Sequence, residues 1–432
     1  MTKNLSINFS YRNVVIFTVI IFFATRVIDG VLRWFLANFG LYYLTYLPQL
    51  SIIFCITMSF CLLKLNRLSL NKIVVFLILA FGSIIAITYI RNLIQIFWGL
   101  YVSICFVFGL IAYKYVFSLE NQKYIPRISL ILLLIVMLGL VVDYSFDLPW
   151  VGFSFEMGGL SLEGSREWET SGLFGRRLAG FSRASFDTSG QLLVLLLLYI
   201  AFGQSLKLKI LVYLLGGLGI YLTTTKTAIG IWAFFGVLFL LQKITPVKVQ
   251  IIFRKIIPVV LFLIGFTLPV LSYYFSNEYN SNIFEVIVAS RENDKDLKIT
   301  NSFVMGRFIY IWPAAIENTI TQGNILFGKG IGGIGTPLLY VNSDFYNPAD
   351  NTYVHLFSLF GLSSFIFYPL WLKKIISMSA MRSKEEIYFY LFSLYALLNA
   401  ISVGCEAQLI QFFMGMFIMY RNKFSMRKYE KL

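Results

Sequence analysis

Along most of this chain, apolar runs of about twenty residues alternate with short polar breaks that carry charge. A helix needs about 20 apolar residues to cross a hydrocarbon core of ~30 Å. Twelve runs meet or approach that length, near 13–33, 42–63, 73–90, 93–113, 128–144, 188–204, 208–224, 227–242, 256–274, 351–371, 386–401 and 405–420. Several are short, which predicts tilt or half-buried ends. The pattern predicts an all-α polytopic integral membrane protein of about 12 transmembrane helices, a single transmembrane domain over 1–432. Two breaks are long, at 145–187 and 275–350. In the second, Phe308, Ile311, Trp312, Ala315 and Ile316 recur at i, i+3, i+4, i+7 and i+8. That spacing predicts a helix near 307–318 that lies on the membrane surface or packs in a small external bundle.

Charge orients the runs. With the N-terminus inside, the inward breaks hold 23 of the 36 Lys and Arg residues and only four acids, Glu120, Glu385, Glu386 and Glu430. Excess basic charge marks cytoplasmic loops. Both termini are therefore expected in the cytoplasm, and both long loops are expected outside. A carrier built from repeated halves keeps its loops short and alike. No internal repeat is visible here, so long outer loops point to recognition or chemistry on the outer face.

Composition closes other classes. The chain is 58% hydrophobic, 18% aromatic and 13% charged. A soluble enzyme carries about a quarter charged residues, and a disordered chain has few apolar ones. The net charge of +15 is spread over short breaks, whereas a nucleic-acid surface gathers it in one patch. Cys55, Cys61, Cys105 and Cys405 lie in or beside apolar runs, without metal-ligand or disulfide-framework spacing. One histidine and no close pair of external carboxylates near the arginines leave no visible metal site. No glycine-rich nucleotide motif lies inside. Met1–Arg12 is polar, and the first apolar run is too long for a cleaved signal peptide, so it is expected to stay in the membrane.

The two sides differ in the kind of cation. Lysines dominate inside. Outside stand nine arginines: Arg26, Arg33, Arg91, Arg166, Arg176, Arg177, Arg183, Arg291 and Arg307. A guanidinium binds phosphate oxygens with two parallel donors. Arg26 is expected to pair with Asp29 within one helix. Arg166, Arg291, Lys295 and Lys298 stand among Glu163, Glu167, Glu169, Glu292, Asp294 and Asp296, a mixed solvated surface. Arg176, Arg177 and Arg183 are different: three cations within eight residues before an apolar run, with Asp187 the nearest downstream acid. They call for an anionic partner.

Three outward stretches carry a resemblance. The first is Arg177-Leu178-Ala179-Gly180-Phe181, continuing through Arg183 to Asp187 and Gly190. The second is Thr223-Thr224-Thr225-Lys226-Thr227-Ala228. The third runs from Gly306-Arg307 through Trp312 and Phe327-Gly328-Lys329-Gly330-Ile331-Gly332 to Asp350-Asn351-Thr352-Tyr353, then Phe360-Gly361-Leu362. In order, spacing and side, they resemble the superfamily of bacterial O-antigen polymerases (Wzy-type) and O-antigen ligases. The motifs cover about 60 residues. Lys226 stands where arginine is usual, and Asp350 stands where ligases usually carry histidine, which favours a polymerase. An arginine-x-ten-glycine spacing described for some polymerases is absent, since Thr188 and Asn318 occupy those positions.

The resemblance implies a GT-C-like membrane glycosyltransferase of the bacterial inner membrane. It would join polyprenyl-diphosphate-linked oligosaccharide repeat units on the periplasmic face. The chemistry needs fixed cations on the leaving diphosphate, a base for the attacking hydroxyl and a groove for the prenyl chain. Arg176, Arg177, Arg183, Lys226 and Arg307 are the expected diphosphate ligands, with Asn351 and Tyr353 beside the substrate. Asp350 is the first choice of base and Asp187 the second. No cofactor, metal or nucleic acid is implied. The implied partners are the lipid-linked substrate, the bilayer, a chain-length regulator and a flippase. A ligase acting on lipid A core, and a flippase or other transporter, are the alternatives; a transporter predicts charge at mid-membrane depth, whereas charge here gathers at the run ends. Plainer uses also exist: Asp350 as a helix N-cap, Lys226 as a helix end, the glycines at 328–335 as a turn, and His355 as a packing residue.

Overall fold

The computed structural model describes residues 10–62, 70–157, 160–166, 176–279, 306–341, 346–404 and 407–420. Within the two long loops, 167–175, 280–305 and 342–345 lie outside the described residues, and so do Arg291, Lys295, Lys298 and the basic C-terminus from Arg421.

Helices occupy all twelve apolar runs. They are α1 Tyr11–Val27, α2 Asp29–Asn38, α3 Leu47–Leu62, α4 Leu70–Tyr89, α5 Leu93–Val102, α6 Ile104–Val116, the short α7 Leu119–Gln122, and α8 Ile125–Ser145. Then follow α9 Ser185–Phe202, α10 Leu206–Leu222, α11 Lys226–Ile244, α12 Val247–Tyr279, α13 Trp312–Gln322, α14 Thr336–Val341, α15 Thr352–Phe360, α16 Phe367–Ser377, α17 Lys384–Ala400 and α18 Gln408–Met419. Side-chain caps start several of them. Asn92, Ser205, Asn351 and Ser383 each accept from amides of the following turn, satisfying donors that the helix leaves open.

The chain is an all-α polytopic membrane protein, with one small antiparallel hairpin, Ser154–Met157 against Leu160–Glu163. Among the described residues, 7 helical stretches are long and apolar enough to cross a membrane, or up to 8 if α1 and α2 form one broken span. That is fewer than the twelve apolar runs predict, because α10 and α17, of 17 residues each, and the short apolar helices α11 and α18 are not long enough to count. Leucines and isoleucines on the outside of α4, α8, α10 and α12 are exposed, the surface a lipid-facing bundle presents.

The centre is α9. It is 78% buried, against 22–50% for the other candidate spans. It packs on α8, α10 and α17, and α17 contributes the buried Tyr388, Phe389, Tyr390 and Phe392. Short turns at 203–205, 223–225 and 245–246 force α9 to α12 to run antiparallel. The α9 N-terminus, the α8 C-terminus, the α11 N-terminus and the α17 C-terminus thus share one end of the bundle.

The first run does not continue straight. α1 and α2 meet at 85°, with no proline at the break. Long-range hydrogen bonds replace the lost helical ones. Gln191 Nε2 donates to Arg26 O at 2.8 Å, Ser182 Oγ donates to Val27 O at 3.3 Å, and the Gly30 and Val31 amides donate to Phe181 O. Gly30 is required there, because a Cβ would fall on Ser182 O.

The apolar stripe of α13 packs inside the protein. Phe308, Ile311, Trp312, Ala315 and Ile316 gather with Ile334, Ala349 and Val354, so protein covers the face expected to meet the membrane surface. The glycine-rich stretch is a tight thread between helices. The Ile331 amide donates to Gly82 O of α4 (3.1 Å), and Gln95 Nε2 of α5 donates to Gly332 O (2.8 Å).

α6 and α18 cross backbone to backbone. A Cβ on Gly109 would fall on Phe412 O, and one on Gly415 would fall on Phe106 O. Small residues permit such backbone contact in membranes. Gly415→Ala should therefore cost about 1–3 kcal/mol and lower the melting temperature in detergent. Gly230→Ala, with nothing within 4 Å of its Cβ, should not. Equal melting temperatures for both variants would contradict the crossing.

Candidate functional site

The arginine-rich turn before α9 is built on one carboxylate. Asp143 ends the apolar α8 with a side chain only 2% exposed. Its Oδ2 accepts from the Ala179 amide at 2.8 Å and the Gly180 amide at 2.7 Å, and Arg176 Nη2 lies 3.1 Å from its Oδ1. Gly180 has φ of +63° and sits against the Gly139 backbone, a conformation that only glycine adopts without strain. Trp150 Nε1 donates to Gly180 O, and Thr188 Oγ1 donates to Ala179 O. The motif Arg177–Phe181 is thus a pinned turn. Arg176 is an ion-pair partner within it and lines a cavity of about 530 Å³ with Asp143, Asp147 and Tyr144. Arg177 is half-buried beside it.

The pinned turn delivers Arg183 into a charged cluster. Asp29, at the start of α2, pairs with Arg33 Nε at 2.9 Å and Arg26 Nη1 at 3.5 Å. The expected Arg26–Asp29 pair is present, and Arg33 joins it from one turn on. Arg183 has no ion pair among the described residues, and its buried Nε has no hydrogen-bond partner among them. Burial, with repulsion from Arg33 and Arg166, holds its guanidinium below the usual range, while Asp187 and Asp29 pull the other way from longer distance. Arg166 also pairs with Glu163. Asp187 sits on the first turn of α9, one turn after Arg183.

Arg307 and Asp350 form a second group. Arg307 Nε donates to Asp350 Oδ2 at 3.0 Å, with side chains 11% and 28% exposed. Burial lowers the Arg307 pKa, and the Asp350 charge opposes that. Arg307 opens a turn of π-helix over Arg307–Ile311, a form frequent at functional sites. Ala349 and Asp350 have φ of +59° and +43°, which costs on the order of 1 kcal/mol each outside glycine. Asn347 holds this turn: its Oδ1 accepts from the Ala349 amide and its Nδ2 donates to Ile311 O. The helix cap is Asn351, whose Oδ1 accepts from the Tyr353 and Val354 amides. Asp350 is thereby released from capping.

Several expected site residues lie elsewhere. Asn351 is fully buried in its capping role, with Nδ2 on Ile401 O. Tyr353 points inward among Phe262, Phe266 and Tyr368. Lys226 is exposed and begins α11 rather than ending a helix. His355 is buried, and its Nδ1 has no hydrogen-bond partner among the described residues. Lys329 is buried against Asn318 and Gln322, which pushes its pKa down to about 8. Arg183 and Arg307 therefore answer to different carboxylates and do not form one cluster. α17 and the turn after it reach both groups: Tyr395 interacts with Asp187, Ile401 O and Val403 O accept from Asn351 and Thr352, and Ser402 Oγ meets Thr227 Oγ1.

Among the described residues no three His, Cys, Asp or Glu side chains gather as a metal site would require. No protein-family model, curated protein or solved structure matches the chain. The residues that sequence reasoning missed are Asp143, Arg33, Ser182 and Gln191. Arg33 stood among the outward arginines and Ser182 inside the first motif, and Asp143 had a signal of its own: an ionisable residue closing an apolar run.

Asp143→Ala should leave the Ala179 and Gly180 amides without their acceptor and remove the carboxylate from Arg176. The expected loss is about 3 kcal/mol, read as lowered thermal stability. Asp143→Asn, which keeps an acceptor oxygen, should lose less than half as much. Equal losses would show that the carboxylate does not pin the turn.

Proposed function

We propose that the chain is a metal-independent membrane glycosyltransferase that polymerises polyprenyl-diphosphate-linked oligosaccharide repeat units into a surface polysaccharide such as O-antigen. The observation that carries this reading is Arg183, a cation buried at Nε, without an ion pair among the described residues, and accompanied by Arg33 and Arg166. Charge held this way at the rim of an apolar bundle costs free energy unless an anion arrives. A diphosphate on a lipid carrier supplies that anion at that depth. The order of the motifs that resemble O-antigen polymerases supports the same choice. In this reading the chain spans a bacterial inner membrane about twelve times, with both termini in the cytoplasm and the arginines facing outward. A flippase supplies its substrate and a chain-length regulator limits its product.

The step joins an acceptor hydroxyl to the anomeric carbon of the donor and breaks that carbon's bond to the diphosphate. Negative charge grows on the departing diphosphate, where Arg183 and Arg33 stabilise it. The acceptor hydroxyl gives its proton to a carboxylate. Asp187 takes precedence over Asp350 for that role, because Asp187 acts on Arg183 while Asp350 is held by Arg307. The Arg307–Asp350 pair, on its left-handed turn, positions the acceptor sugar.

Purified protein in detergent with lipid-diphosphate-linked repeat units should give a ladder of longer lipid-linked glycans. Transfer only to lipid A core would mean a ligase, and flipping without bond formation a transporter. Arg183→Ala should lower the rate about 100-fold, equivalent to ~3 kcal/mol, and Asp187→Asn by at least as much. A loss below threefold in a folded Arg183→Ala variant overturns the reading.

A further inference from the structure

The break at Ile28 has a consequence for how a ligand reaches Arg183. α1 has 17 residues, about 26 Å at 1.5 Å per residue, which suits a membrane crossing. With α1 near the membrane normal, the 85° bend lays α2 in the membrane plane, at the end of the bundle where Arg183 sits.

α2 has two unlike faces. Asp29 and Arg33, one turn apart, face inward with side chains only 11% and 12% exposed. Phe35 and Phe39, the latter capping the helix, are also four residues apart and lie about 120° round the axis from that pair. They are 51% and 65% exposed, with ring centroids 4.7 Å apart. The exposed apolar surface continues past α2 through Leu41 and Tyr43 to Leu47 at the start of α3. Two aromatic contacts tie this strip to the loop after α8: Trp34 to Trp150, and Tyr42 to Phe155, each at 6.3 Å. The inner edge is fixed to the arginine turn itself, through the Gly30 and Val31 amides on Phe181 O and Ser182 Oγ on Val27 O. An in-plane strip with exposed aromatic residues along its outside and a buried arginine at its inner edge suits one kind of molecule. That molecule carries a long apolar chain and an anionic head.

We propose that α2 and the Tyr42–Tyr46 turn form a shelf along which a prenyl-chain diphosphate enters sideways from the leaflet, its chain on Phe35, Phe39 and Tyr43 and its head reaching Arg33 and then Arg183. This rests on the assignment of Arg183 as the diphosphate ligand and adds the route and the chain-binding surface. Charge complementarity selects the head: Arg33 and Arg183 both lie at the inner edge, and Asp29 is the carboxylate that holds Arg33 there.

The test compares undecaprenyl diphosphate with inorganic pyrophosphate, binding each to the purified chain in detergent. Phe35→Ser with Phe39→Ser should weaken the lipid at least tenfold and leave pyrophosphate within twofold. Arg183→Gln should weaken both. If the double variant leaves the lipid unaffected while Arg183→Gln weakens both ligands, the shelf is wrong and the diphosphate site stands. If the double variant weakens both equally, the shelf is also wrong, because the aromatics then act on the head site. If Arg183→Gln leaves both unchanged, the diphosphate site itself is wrong. Equal competition by phosphatidylglycerol would show that the strip holds bulk lipid and would overturn the proposal. Phe39→Ser alone, at the exposed tip of α2, replaces the double variant if that variant does not fold.

Discussion

A guanidinium with no ion pair among the described residues is expensive to keep half inside a membrane bundle. Arg183 is such a group, and the surrounding architecture holds it in place. Asp143 pins the Ala179 and Gly180 amides, Thr188 and Trp150 fix the turn's carbonyls, and Ser182 with Gln191 locks the turn to the α1–α2 break. The acid nearest in sequence, Asp187, is kept beyond ion-pair distance. Asp29, which would otherwise quench the charge, is taken by Arg33 and Arg26. The result is a cation-rich cluster of described residues, Arg26, Arg33, Arg166 and Arg183, beside the α1–α2 break.

A different balance governs the second group. Arg307 and Asp350 neutralise each other, so that pair offers orientation and hydrogen bonding rather than net charge. The proposed transfer between two lipid-linked glycans would use both kinds of place, one that stabilises a leaving anion and one that aligns a neutral hydroxyl. The turn after α17 holds the Asp350 side through the Ile401 and Val403 carbonyls, and Tyr395 of α17 interacts with Asp187 on the other.

The helical runs were legible because hydropathy is a local property, and all twelve carry helix. What depended on distant partners was not. The break at Ile28 needs Gly30, Ser182 and Gln191 together, and none of them marks a helix end by itself. Asp350 and Asn351 are adjacent, and both are good caps, so residue type alone did not choose between them; the left-handed backbone at Asp350 did. Tyr353 follows the cap closely enough to look like a site residue, but the helical turn carries its ring into the aromatic core. Topology and the resemblance grouped Arg307 with Arg176, Arg177 and Arg183, whereas folding paired it with its own carboxylate. Asp143 escaped notice because its role is to hold two amides of a turn more than thirty residues away.

The most direct measurement is an experimental structure of the chain with a polyprenyl diphosphate bound. The account predicts phosphate oxygens within hydrogen-bond distance of the Arg183 guanidinium, with Asp29 still paired to Arg33. A diphosphate bound elsewhere, with Arg183 closed onto Asp187 or Asp29, would contradict it.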